Sequence, residues 1–387
     1  MPGDAVTLPQ RPPPGPHQRH STRAGSFIVG FALAAWAPLV PFAQARLAVN
    51  DAQLGLLLLC LGAGSVVAMP LSGALAARFG CRRPVWAACL CISAALPLLA
   101  TLDSAPALAL ALLLFGAGVG VTDVVVNIQA IIVEKAAGRA LMSGFHGLFS
   151  VGGILGAGGV SGLLWAGASP LVAALAADLV ILGLLAIFGR HLLPYGSEDG
   201  RPSALFALPH GVVLIIGLLC FITFLTEGSI LDWGAIFLTS VRQVGPSRSG
   251  LGYAVFACAM TLGRFRGDRI KQAVGGRAIL IFGSLLGAAG FVLAVFVPSW
   301  LASLAGFWMV GLGTSNIVPV LYSALGRQRI MPPNLAVAAV TTVGYLGILA
   351  GPALIGLTAH ATSLSTAFLC VAALLLLVVA SSRLATS

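Results

Sequence analysis

Apolar residues run through this chain in long unbroken stretches, and polar residues gather in the short gaps between them. The stretches cover about 25–46, 54–76, 85–102, 106–133, 141–165, 170–189, 211–239, 250–265, 277–297, 300–325, 335–358 and 364–381. Most are long enough to cross a bilayer, which takes a helix of roughly 20 apolar residues. In lipid, each backbone N–H and C=O must be bonded within its own segment or within a closed barrel. Continuous runs, rather than ten-residue alternating ones, select helices. The pattern predicts an all-α membrane protein with twelve transmembrane helices.

The gaps alternate in charge. Of 21 Lys and Arg residues, all but Arg46, Arg242 and Arg248 fall in every second gap. Lys and Arg accumulate on the cytoplasmic side of a membrane. Both termini are therefore expected in the cytoplasm, in a bacterial inner membrane. Hydrophobic residues make up 58% of the chain and charged residues 8%, where soluble domains carry about 25% charged residues. The net charge of +10 does not point to nucleic acid, because the bases are scattered and have no interleaved aromatic platform. Membrane lipid is the expected counter-charge. The seven cysteines form no CxxC and lie mostly in apolar runs. They read as buried small hydrophobes, with no metal or cofactor expected.

Residues 1–23 are rich in Pro and Arg and are expected to be a disordered cytoplasmic tail. Ala43-Gln44-Ala45 has the look of a signal-cleavage site, but the run before it is span-length and contains Pro38 and Pro41. It is read as a retained span. The longest hydrophilic gap follows span six. The expected division is a tail at 1–23, a first six-helix bundle at 24–190, a cytoplasmic linker at 191–210 and a second bundle at 211–382. The two halves resemble each other at an offset of about 191–194 residues: Gly116–Asp123 lies over Met309–Asn316, Gly153 over Gly347, and Arg78 over Arg269. A half-length repeat of this kind marks transporters built around a midplane site.

Twelve spans, a central loop and this repeat resemble the major facilitator superfamily over residues 25–381. The loop after span two resembles its Gly-x-x-x-Asp-Arg signature, as Gly73-Ala-Leu-Ala-Ala77-Arg78. Ala77 replaces the signature Asp, while the second copy keeps it as Gly267-Asp268-Arg269. The resemblance implies a cytoplasmic gate held by charge pairs, involving Arg78, Arg264, Asp268 and Arg269. Three further stretches, Asp123–Gln129, Met142–Gly153 and Glu227–Trp233, are similar to a bacterial branch related to the rhizopine-transport protein and fucose permease. That branch implies solute transport, by a protein that works as a monomer.

Four acids lie inside apolar runs: Asp123, Asp178, Glu227 and Asp232. A carboxylate at a helix centre costs about 2.5–3.5 kcal/mol on insertion scales, so each is a functional candidate. Burial raises a carboxyl pKa, which suits a proton carrier. Asp123, Asn127 and Glu134 share one face of span four. Ser143, His146 and Ser150 share a face of span five. Glu227 is the cavity candidate in span seven. Asp232 and Trp233 lie nearer the periplasmic end, as a gate contact or an interface anchor. Asn316 is the repeat partner of Asp123, and Trp36 offers a stacking surface for a sugar or cyclitol ring. Asp178, in a peripheral span, reads as structural. The glycines of spans five and eleven read as rocking surfaces between the bundles.

These readings converge on a secondary transporter of a small polar solute, sugar- or cyclitol-like, coupled to protons by alternating access. A proton-driven exporter of drugs or hydrophobic metabolites is the alternative. No enzyme is expected: the sequence holds no metal-spaced His/Cys cluster and no Ser-His-Asp set at one depth.

Overall fold

The computed structural model describes residues 14–197, 207–245 and 250–386. Its helices are α1 (Pro16–Leu47), α2 (Asp51–Phe79), α3 (Arg82–Thr101), α4 (Ala105–Ala137), α5 (Met142–Trp165), α6 (Pro170–Phe188), α7 (Gly211–Val241), α8 (Leu251–Val274), α9 (Gly276–Phe296), α10 (Trp300–Leu325), α11 (Pro333–Ala361) and α12 (Leu364–Thr386). There is no strand among the described residues. Eleven helices are long and apolar enough to cross a membrane. The exception is α8, which carries Arg264, Arg266, Asp268, Arg269 and Lys271.

Local chemistry sets the helix ends. Asn50 and Gln53 cap α2 reciprocally, each side chain accepting the other's backbone N–H at 2.9 and 3.1 Å. Gly80 after α2 and Gly275 after α8 both turn the chain with positive φ, 76° and 82°. Only a residue without Cβ takes that conformation at little cost. These two turns occupy equivalent places in the two halves. Inside α10 the helix breaks at Asn316. Pro319 has no N–H to give to the Ser315 carbonyl, so the ladder is interrupted there.

Helix α1 starts at Pro16, which corrects the expected tail. Residues 16–23 are helical, and Ser21 Oγ donates to the His191 carbonyl at 3.1 Å. Gln129 of α4 donates its amide to Ser21 and Thr22 and accepts the Leu193 N–H at 2.8 Å. These contacts hold a polar segment in helix that its composition alone would leave unfolded. Residues 1–13 of the tail lie outside the described residues. So do Arg248, and residues 198–206 of the linker with Arg201.

Two of the three arginines that break the charge alternation have a structural task. Arg46 donates to the carbonyls of Leu99, Ala100 and Leu102 at the end of α3. Arg242 donates to those of Ala294 and Val295 at the end of α9, and to Ser303 Oγ. The last carbonyls of a helix lack intrahelical donors and carry partial negative charge, so a guanidinium suits them. The repeat preserves this device in both halves.

Helices α1–α6 pack on one another, and so do α7–α12. The glycine rows serve mainly this packing, which corrects the rocking-surface expectation. Gly152 and Gly156 of α5 lie against the backbone of Phe27 and Phe31 in α1, and Gly347 of α11 lies against Phe221 in α7. Only Gly144 and Gly147 of the α5 row meet the other half, at Asp268, Arg264 and Phe265.

The halves meet through α5 with α8, α2 with α11, and α4 and α5 with α10. These seams converge on the end where Arg78, Lys135, Arg327 and Arg329 lie exposed, here termed the basic end. No comparable contact joins α1 to α7 among the described residues.

Candidate functional site

The closed end is organised around the first turn of α5. Glu134 Oε2 accepts the N–H groups of Leu141 and Met142 at 2.8 and 2.7 Å. Asp268, from the other half, accepts those of Ser143 and Gly144 at 2.9 and 2.8 Å. Four N–H groups that a helix start leaves open are thus filled by two carboxylates. Lys271 Nζ then bridges to Glu134 Oε1 at 3.3 Å, across the halves.

The corresponding seam between α2 and α11 is built differently. Ala77 supplies no carboxylate, and α11 begins with Pro332 and Pro333, so Pro333 offers no N–H there. Instead the Asn334 side chain donates to the Gly73 carbonyl at 2.9 Å. Arg78 lies exposed over the Phe79 ring, and Arg269 is exposed; neither makes an ion pair among the described residues.

At mid-depth the two halves face each other through polar groups. Asp123 of α4 accepts the Asn127 amide at 3.1 Å, as their four-residue spacing anticipates. Across the interface, Tyr345 of α11 lies within electrostatic range of both Asp123 and Glu227. Arg264, expected at a cytoplasmic gate, is instead an interior residue, only 5% exposed. Its Nη1 donates to Ser150 Oγ of α5 at 2.6 Å, and its Nη2 lies 3.8 Å from Glu227 Oε2 of α7. Glu227 keeps 22% of its side chain accessible, and Asp232 is exposed. Glu227, Arg264 and Asp232 all lie within electrostatic range of the Tyr253 hydroxyl.

His146 of α5 meets Tyr322 of α10 edge to face, centroids 5.6 Å apart, and Tyr322 is bonded to Thr341 at 2.6 Å. Asn316 lies deeper toward the closed end. Its amide donates to the Gly263 carbonyl at 2.9 Å, and its Oδ1 sits with Ser143 Oγ in the space that Gly267 leaves open. Trp36 is buried and its indole N–H has no partner among the described residues. Asp178 is buried beside Ser93, within the first half.

Sequence reasoning missed Lys271, Asn334, Tyr322 and Tyr345, and it missed that Glu134 caps α5. The tyrosines carried a usable signal. The chain has four, and three of them, Tyr253, Tyr322 and Tyr345, surround this interface.

The sequence matches the Major Facilitator Superfamily over residues 24–270. The chain belongs to this superfamily. It is 55% identical to an uncharacterized MFS-type transporter of Yersinia pestis, over 96% of this chain and 97% of that one. It is 34% identical to the membrane protein MosC of Rhizobium meliloti, covering 92% of this chain and 87% of MosC. Among solved structures, the E. coli fucose:proton symporter FucP superposes with a TM-score of 0.81 at 12% identity, over 95% and 98% of the two chains. The fold is therefore that of a superfamily transporter, a multi-pass membrane protein.

Proposed function

We propose that this superfamily transporter is a proton-coupled carrier of a small polar solute, sugar- or cyclitol-like, in a bacterial inner membrane. The basic end and both termini face the cytoplasm, following the Lys/Arg asymmetry. The conformation described is then closed toward the cytoplasm, while Glu227 and Asp232 keep accessible surface. One observation carries the reading: Arg264 reaches across the halves at mid-depth to Ser150 while facing Glu227 of its own half, above a clasp made of Glu134, Asp268 and Lys271. Charged groups at that depth are costly in lipid and mark a solute or ion path. The likeness to a fucose:proton symporter supports solute and coupling together.

Alternating access needs the two seams to exchange. Protonation of Asp123 or Glu227 changes the charge facing Tyr345 and Arg264, and so biases which end is closed. The test is uptake in proteoliposomes under an imposed pH gradient, with solutes first selected by thermal shift. Asp123→Asn and Glu227→Gln are expected to abolish proton-coupled uptake with expression intact. Wild-type rates in both would refute the assignment.

A further inference from the structure

Resting on the transporter reading above, we infer that the solute carries a carboxylate and that Arg264 is the group that receives it. A guanidinium presents five N–H donors in a fixed fork. In Arg264, buried at 5% exposure, the one short bond among the described residues is from Nη1 to Ser150 Oγ at 2.6 Å. Nε has no partner among the described residues. Nη2 faces Glu227 Oε2 at 3.8 Å, beyond hydrogen-bonding distance. Paired guanidinium and carboxylate groups normally close to about 2.7–2.9 Å, often through two parallel bonds. Here the cation is desolvated, yet the edge formed by Nε and Nη2 carries no hydrogen bond among the described residues. That edge matches the two oxygens of a carboxylate.

The surrounding groups suit the rest of a hydroxylated acid. Ser150 of α5, bonded to the guanidinium, and the Tyr253 hydroxyl, within electrostatic range of Arg264 and Glu227, offer acceptors and donors for hydroxyls. One guanidinium balances one carboxylate. A solute that takes the fork releases Glu227, and a proton entering with the solute from the periplasm neutralises it. Solute anion and proton then cross together with no net charge moved, and both are released into the cytoplasm.

The test uses the purified full-length protein and matched pairs of probes: D-galactose with D-galacturonate, D-glucose with D-glucuronate, and glycerol with D-glycerate. Binding is measured by thermal shift and by calorimetry. At least one acid is expected to bind about tenfold or more tightly than its neutral partner, the range for charge-assisted bonds. Glu227→Gln removes the competing carboxylate and should tighten acid binding. Arg264→Gln should erase the preference. Arg264→Lys should keep part of it, supplying charge without the fork. Gel filtration checks that the Arg264 variants fold, and Glu227→Gln decides the question if they do not. A neutral sugar bound as tightly as its acid overturns the inference and leaves the transporter reading standing. Acid binding unaffected by Glu227→Gln and Arg264→Gln, or no acid bound at all, also overturns it.

Discussion

Asp268 caps a helix that belongs to the other half of the molecule: its carboxylate accepts the backbone N–H groups of Ser143 and Gly144 at the start of α5. Such a bond exists only while the basic end is shut. Bonds to a charged acceptor are worth about 1.5–3 kcal/mol each. Asp268→Ala is therefore expected to shift the population toward the state open at the basic end, by tenfold or more. Spin-label distances between α4 and α10 would read this directly, and an unchanged distribution would count against the clasp.

Glu134 has two tasks, and this constrains how it can be replaced. It caps Leu141 and Met142 and also pairs with Lys271. Exchanging the charges, with Glu134→Lys and Lys271→Glu together, restores the ion pair but leaves a cation against a helix start. The double variant should remain impaired in closure of the basic end, at or below the level of Glu134→Lys alone. Full recovery in the same distance measurement would show that the pair, not the cap, matters.

Gly267 should tolerate no side chain. A Cβ there would collide with Asn316 and Ser143. Gly267→Ala is expected to hold the α5–α8 seam apart and to slow transport. Asn316→Ala in the same background removes the largest obstacle and should return part of the activity. Transport assays on the single and double variants test this.

Arg46 and Arg242 are expected to matter for stability. Replacing either by Gln strips the donors from the last carbonyls of α3 or α9. Each loss should cost about 1–3 kcal/mol. The two sites lie in different halves, so the costs should add. Denaturation in detergent, followed for the two single variants and the pair, checks both magnitude and additivity.

The helices were legible because lipid imposes long apolar runs, and the i, i+4 contact of Asp123 with Asn127 followed from spacing alone. Two kinds of feature were not legible. The segment from Pro16 to Arg23 reads as tail because its helix rests on Gln129 and His191, distant partners that no local pattern announces. Arg264 reads as a gate cation at the end of span eight because it neighbours Arg266 and Asp268 in sequence. What makes it an interior group is Ser150, 114 residues away. Arg46 and Arg242 looked like exceptions to a charge rule, and only the facing helix ends explain them.

The seam between α2 and α11 is fastened by a neutral amide on a carbonyl, and the seam between α5 and α8 by carboxylates and an ammonium. Among the bonds of the described residues, ionic strength and acid therefore act on the ionic seam more than on the amide seam. Loosening the molecule with salt or low pH should swing the bundles apart askew, pivoting about Asn334, in place of a symmetric parting.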